Sequence, residues 1–531
     1  MSKNKNATLE IPLAIESFAA ADAMITRELK RNHINSEILS ETMLVFEALF
    51  HEMVEQYDGQ DTALTVKVQK TFGELDIVLS FEGRPFTRIE REQDDLSPET
   101  SILRAYKDKV GHRFIAGHNT VRIVVKRSYR DTLLPCFIGV LLAILTYIPL
   151  SMVFGLEERR ALEEQIVFPL IKLFADAMLM VGAPLTLFTL IQNLTDTYIL
   201  SEHSSAGRKL QLTTFITSVI SVLLAVVMGI LLPLLLKRHG GYLAGVSGFV
   251  GTPTFAEMVE SLMPSDIIEP FQTFMPFPMI VVALMITYAS CSVGEHFDTL
   301  RKVVSVGNML FSKMVNVVMF ALPVFCYLAI LTPLLDSGFG NLLLIGQVFF
   351  LLFGCLIVMF AFYVIRLRLG GVKVGPFLKG LPPLIRENMR INSAVDAAPF
   401  NIRYCARHYG FDRKRLSEQL PILAQTNLDG NCYYIMLFAM LFIFMLGIQV
   451  SWFQIVAIGV LVLFLSFGAA NQSGSILIGT LIITLYLKAD DLISIAIYFE
   501  VFFGVIQNVV NVVGDIVTVA VEEQKLRSCP A

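Results

Sequence analysis

The sequence predicts a polytopic α-helical membrane protein carrying an N-terminal cytoplasmic α+β domain. Three observations carry that prediction. The 531 residues are 54% hydrophobic and only 17% charged, too little charge for a soluble chain of this size. Several apolar runs, among them Leu133 to Phe154, Val219 to Leu236 and Leu342 to Ile365, are long enough to cross a bilayer. Two polar knots, Asn427-Leu428-Asp429-Gly430-Asn431 and Asn511-Val512-Val513-Gly514-Asp515, interrupt the most apolar stretches of the second half. A net charge of −4 offers no basic face for nucleic acid. The N-terminus leads into polar sequence without a signal-peptide core. The scattered cysteines contain no CxxC pair, which argues against zinc and disulfides.

Residues 1–128 read as the soluble domain. Leu39 to Tyr57 carries Met43, Phe46, Leu49, Phe50 and Met53 on one helical stripe. Leu64 to Gln69, Leu75 to Phe81 and Val121 to Val125 read as strands, with Thr71-Phe72-Gly73-Glu74 as a turn. Arg122, Lys126, Arg127 and Arg130 precede the first apolar run, which places this domain on the cytoplasmic side.

Membrane segments are expected near 133–154, 166–193, 208–236, 270–290, 303–335 and 341–366. The acidic loop GLEERRALEEQ suits the outside, and the basic loops SEHSSAGRK, GEHFDTLRK and RLRLGGVKVGPFLKG suit the inside. Gly375 to Arg403 is broken by Pro382, Pro383, Asn392, Asp396 and Pro399. It is too polar for a plain span and too apolar for a surface loop. Val450 to Leu487 breaks at Ser466 to Gly474 and then resumes. Both read as re-entrant hairpins, because irregular backbone at membrane depth survives only inside protein or along a cavity. With helices after residue 427 and after residue 492, the total is eight transmembrane helices and two re-entrant hairpins.

An ionised carboxylate at membrane depth needs a partner, an ion or a wet path. Gly beside Asp and Asn also invites unwinding that frees carbonyls for a cation. The plainer reading of each knot is a helix ending early in a polar loop. Glu500, Gly504, Gln507, Asn511 and Asp515 are spaced 4, 3, 4 and 4 apart, which puts them on one helix face. That face either lines a site or holds helices together by hydrogen bonds.

On these motifs the chain resembles the dicarboxylate/amino acid:cation symporters, the glutamate-transporter family, over roughly residues 130 to 522. The first knot resembles the family's Asn-Met-Asp-Gly-Thr in its seventh helix, and the second its Asn-Val-Thr-Gly-Asp in the eighth. Ile391-Asn392-Ser393 with Pro399, and Ser466 to Gly474, fall where the hairpin tips belong. Ser265 to Pro270 is similar to the family's Pro-Ser-Asn-Ile segment. The resemblance implies a homotrimer in the cell inner (plasma) membrane, a scaffold mainly within residues 129–372, and a transport domain over 373–522 that works as an elevator. The last residues, 523–531, form a tail. It implies Na+ as coupling ion, with Asn427, Asp429, Ser466, Asn511 and Asp515 as ligands and Ser218 and Ser221 near a further sodium site. Substrate contacts would fall to Ser393, Asp396, Asn431, Gln507 and Asn508.

The departures concern substrate. Gly504 stands where acidic amino acid transporters of the family hold an Asp for the amino group. Gln507 stands where they hold an Arg for the side-chain carboxylate, so a second carboxylate has no bidentate partner. Asp396 could hold a substrate amine, or equally act as a helix cap or salt-bridge partner of Arg390. Asn431 replaces a Thr, and Asn471, Gln472 and Ser473 replace the usual Gly and Pro of the second tip. The expected function is therefore sodium-coupled transport of a small polar, neutral or zwitterionic solute such as an amino acid. The alternative is a transporter-derived receptor that signals through its N-terminal domain.

That domain is similar to the ATP-binding fold of histidine kinases and anti-sigma-factor kinases. However, His51 replaces the magnesium-binding Asn, Phe81 replaces the adenine-binding Asp, and Thr100-Ser101-Ile102-Leu103 stands where a Gly-rich lid belongs. These replacements disfavour ATP and enzymatic activity and imply a degenerate module that binds a protein partner or regulates.

Overall fold

The computed structural model describes residues 7–32, 34, 36–57, 62–71, 74–84, 86, 110–115, 117–127, 130–203, 205–235, 263–272, 274–293, 296–447, 449–468, 474–487 and 492–528. The chain divides into two compact units, Met1–Ser128 and Tyr129–Ala531. The expected turn residues Phe72 and Gly73, the stretch Thr100 to Leu103, and the tip residues Asn471, Gln472 and Ser473 lie outside the described residues.

In the N-terminal unit, strands β1 (Ala7–Pro12), β2 (Ala63–Thr71), β3 (Glu74–Glu82), β4 (Val110–Ile115) and β5 (His118–Arg127) form one antiparallel sheet, ordered β1-β2-β3-β5-β4. Alternation sets the register. Val66 pairs with Leu79, which pairs with Val121, so the apolar side chains of neighbouring strands share one face. Helices α1 (Phe18–Arg31) and α2 (Ser36–Gln56) pack there through Ile25, Leu29, Phe46, Leu49, Phe50 and Met53. The α2 stripe is the one read from the sequence. His51 lies beside Phe18, with ring centroids 6.0 Å apart.

A bulge at Leu75/Asp76 accompanies a fully buried Asp76 that is ion-paired with Arg122. Removing one member of such a pair leaves the other charge uncompensated. Arg122 is 38% exposed, so water recovers part of the loss. Asp76→Ala is expected to cost about 2 kcal/mol in this unit. Hydrogen exchange at β3 and β5 across a urea series checks it.

The second unit is helical. It runs through α3 (Arg130–Val153), α4 (Leu156–Leu162), α5 (Phe168–His203), α6 (Ser205–Leu235), α7 (Pro276–Ser292), α8 (Phe297–Met319), α9 (Leu322–Ser337), α10 (Phe339–Gly354) and α11 (Leu356–Leu369). It continues as α12 (Val374–Ile391), α13 (Ala394–His408), α14 (Arg413–Thr426), α15 (Asp429–Met445), α16 (Trp452–Gly468), α17 (Ser475–Tyr486) and α18 (Ile493–Ser528). By length and composition six described helical stretches can cross a membrane. The count is seven if α8 and α9, bent by 54°, act as one span. The expected eighth, near 270–290, is α7, whose 17 residues fall short of that test.

The expected breaks near Asn392 and at the first knot are present, while residues 469–473 of the second tip lie outside the described residues. α12 and α13 meet at Asn392-Ser393, where Asn392 takes the left-handed conformation (φ 51°, ψ 36°) that Asn tolerates better than most residues. Asn388 and Asn401 exchange amide hydrogen bonds of 2.8 and 3.2 Å, tying the two arms. α14 and α15 break at Asn427-Leu428. The second knot does not unwind, in line with the one-face spacing of Glu500 to Asp515: α18 runs as one helix through Asn511 and Asp515. Gly514 lies far from either helix end, with Val512 and Val513 before it, so the i, i+4 ladder continues through it, at a propensity cost of about 1 kcal/mol relative to Ala.

Candidate functional site

The polar face read from the last helix is buried. Glu500, Gln507, Asn508, Asn511 and Asp515 are each 3% exposed or less. α18 presents this face to α15, α17 and the arms of the first hairpin. The break at Asn427-Leu428 matters because it points the first turn of α15 at that face.

There the two knots meet. The Asn427 side-chain amide donates to Asp515 Oδ1 at 2.8 Å. The Gly430 backbone N–H donates to Asn511 Oδ1 at 2.7 Å. Asn511 Nδ2 donates to Asn431 Oδ1 at 3.1 Å and to Gln507 Oε1 at 3.3 Å. Gln507 Nε2 donates to Ser475 Oγ, in the first turn of α17, at 3.3 Å. The Gly474 N–H beside it donates to Glu500 Oε1 at 2.9 Å. A continuous polar seam therefore runs from Glu500 to Asp515.

Helix α6 closes one side. Thr217 Oγ1 lies 3.2 Å from Asn427 Oδ1, and Ser218 Oγ lies 3.4 Å from Asp429 Oδ1. Of the two serines named from the sequence, Ser218 joins the cluster. Ser221 instead turns its hydroxyl back to the Thr217 carbonyl of its own helix. Thr217 was not foreseen; its signal was a second hydroxyl beside Ser218. Helix α11 closes the other side. The Tyr363 hydroxyl, with one proton to give, lies 3.3 Å from Asp429 Oδ2 and 3.1 Å from the Val510 carbonyl oxygen. A Cβ added at Gly514 would meet Tyr363 Oη at 2.7 Å, Asn427 Nδ2 at 3.0 Å and Asp429 Oδ2 at 3.2 Å, so only glycine lets these groups converge.

Asp429 is fully buried, as are Asn427, Asn431 and Ser466. Among the described residues no three His, Cys, Asp or Glu side chains gather to hold a metal. The donors here are two carboxylates with amide and hydroxyl oxygens, which fits a hard cation. Two buried amide nitrogens, Asn431 Nδ2 and Asn508 Nδ2, have no hydrogen-bond partner among the described residues. Both sit on the faces that α15 and α18 turn inward, where a polar solute would satisfy them.

The remaining named residues lie on α16, at the tip between α12 and α13, and on α13. Ser466 lies in the last turn of α16. Ser393 is buried at the tip between α12 and α13. Asp396 lies in the first turn of α13, and its side chain is outside the described residues. Arg390 pairs with Glu387 at 3.2 Å.

A family model covers this architecture. The sodium:dicarboxylate symporter family model matches residues 132–524. The chain belongs to the sodium:dicarboxylate symporter family. A C4-dicarboxylate transport protein of Rhodopseudomonas palustris (strain BisB18) is 23% identical over 355 residues, 64% of this chain and 78% of that relative. Membership makes the chain a multi-pass membrane transport protein for small molecules rather than an enzyme. The matched region begins where the N-terminal unit ends and takes in every residue of the seam.

Proposed function

We propose that the protein is a sodium-coupled secondary transporter of a small neutral or zwitterionic polar solute, such as an amino acid. The observation that carries this reading is the buried junction of Asn427, Asp429 and Asn431 with Gln507, Asn511 and Asp515. Bound sodium would supply positive charge between the carboxylates. Asn427 and Asn511 hold the two carboxyl-bearing turns in register, with Thr217 and Ser218 adding hydroxyl oxygens. Ser466 would add its carbonyl.

The solute would sit against Asn431, Gln507 and Asn508, with Ser393 and Asp396 as the contacts that the first hairpin would supply. Gln507 offers a neutral amide where a dicarboxylate would need a fork of cationic donors. Glu500 brings a carboxylate to the same face, one turn from Gly504, which has no side chain of its own. Both features favour an ammonium group over a second carboxylate. On this point the reading departs from the name of the relative.

The helix pairs α12/α13 and α16/α17 are read as re-entrant hairpins, since their arms of 12 to 18 residues are shorter than the ~20-residue span and the first pair turns at buried Asn392 and Ser393. With α7 and the bent α8–α9 pair this gives eight spans. The hairpins, α6, α15 and α18 would move as an elevator against the other helices within a homotrimer in the plasma membrane. The basic residues before α3 favour a cytoplasmic N-terminal unit, which would serve as a regulatory or partner-binding module.

The test is uptake into liposomes of radiolabelled L-serine, L-asparagine and succinate under an inward sodium or choline gradient. Sodium-dependent uptake of an amino acid, with succinate excluded, is the expected result. Uptake indifferent to sodium, or succinate as the preferred cargo, overturns it.

A further inference from the structure

Arg366 belongs to α11, three residues after Tyr363, so the two project from neighbouring positions on one face. Its Nη2 donates to Thr518 Oγ1 at 3.0 Å. Thr518 lies one turn beyond Asp515 on α18. The Arg366 Nη1 is buried and has no hydrogen-bond partner among the described residues. The Tyr363 hydroxyl, one turn before Arg366 on that face, lies 3.3 Å from Asp429 Oδ2. The guanidinium also lies 5.7 Å from the Phe362 ring centroid, so its outer side is covered. A permanent cation thus stands beside the seam without being neutralised by a carboxylate of its own.

Two carboxylates buried in one network repel each other, and each is strongly disfavoured without a counter-charge. A guanidinium cannot shed its proton, so it supplies that charge in every state of the protein. Asp429 and Asp515 with Arg366 sum to one negative charge, which one monovalent cation neutralises.

We propose that Arg366 is a resident counter-cation of the Asp429–Asp515 cluster, standing in for one of the mobile cations that two carboxylates would otherwise require. The empty site then carries one negative charge instead of two, which eases its movement through the low-dielectric interior. The coupling consequence rests on the sodium-transport reading above; the charge pairing does not, and the test separates them.

The first arm is a double-mutant cycle in sodium-free choline buffer, read as melting temperature of the full chain. The variants are Arg366→Gln, Asp429→Asn and their combination. The double variant is expected to melt higher than Arg366→Gln alone, because removing the Asp429 charge restores the balance. Additive losses overturn the assignment. If Arg366→Gln alone yields no folded protein, recovery of folded protein by adding Asp429→Asn supports it, and failure to recover overturns it.

The second arm is the slope of melting temperature against log sodium concentration. Arg366→Gln is expected to steepen it by about one bound ion, and Arg366→Lys to keep the wild-type slope. An unchanged slope in Arg366→Gln overturns the ion replacement. A wild type blind to sodium defeats the transport reading, and the first arm alone then decides whether Arg366 balances the cluster.

Discussion

Asp515→Asn is expected to abolish sodium-dependent uptake while leaving the fold intact. The substitution keeps an oxygen that can accept the 2.8 Å hydrogen bond from Asn427. It removes a charge that is 3% exposed and shares a network with Asp429. The lost ion attraction is on the order of 3 kcal/mol, roughly a hundredfold in cation affinity. In sodium-free buffer the repulsion between the two carboxylates disappears, so the variant should melt no lower than wild type. Stability and function therefore move in different directions at this position, which a generally damaging substitution would not produce. The measurements are liposome uptake and melting temperature with and without sodium. A variant that keeps a wild-type sodium titration would remove Asp515 from the site. A variant that unfolds in choline would show that the charge is structural.

Much of this site was legible because it is written in short-range sequence. The spacing of Glu500, Gln507, Asn511 and Asp515 already put them on one face, and burial follows from an apolar environment on every other side. The break at Asn392 was legible for the same reason: proline and asparagine in a half-apolar stretch leave few other solutions. What escaped was contact across long separations. Tyr363 lies 66 residues from Asp429 and 147 from Val510, and nothing local marks it. Arg366 reads in sequence as one of the basic loop residues that set orientation, since it begins a run with Arg368 and Lys373. The structure keeps it inside α11, with its head on α18. The two knots also differ from each other. Gly beside Asp suggests a break in both places, yet only the first knot follows a helix whose last turn ends at Thr426. Helix continuity is decided by what precedes the motif as much as by the motif.

Gly430→Ala is expected to be the most damaging single-methyl change in the transport region. A Cβ at this position would collide with the Gln507 carbonyl oxygen, and would lie 2.9 Å from Asn511 Oδ1 and 3.1 Å from the Gln507 carbonyl carbon. Two of these are backbone atoms of α18, which cannot rotate away as a side chain can. Relief requires α15 and α18 to separate by a few tenths of an ångström or more. That separation weakens the 2.7 Å bond from the Gly430 N–H to Asn511 and shifts Asn431 and Gln507 with it. Overpacking of this kind costs about 1–3 kcal/mol. The control is Gly375→Ala in α12, where an added Cβ meets nothing within 4 Å and the backbone is helical. There the change should be neutral or stabilise by about 0.5–1 kcal/mol. Melting temperature and sodium titration of the two variants side by side discriminate a packing effect from a general intolerance of mutation. Gly430→Ala should lose several degrees and most of its sodium response, and Gly375→Ala neither. Equal behaviour of the two would mean that the close approach of α15 to α18 does not hold the seam together.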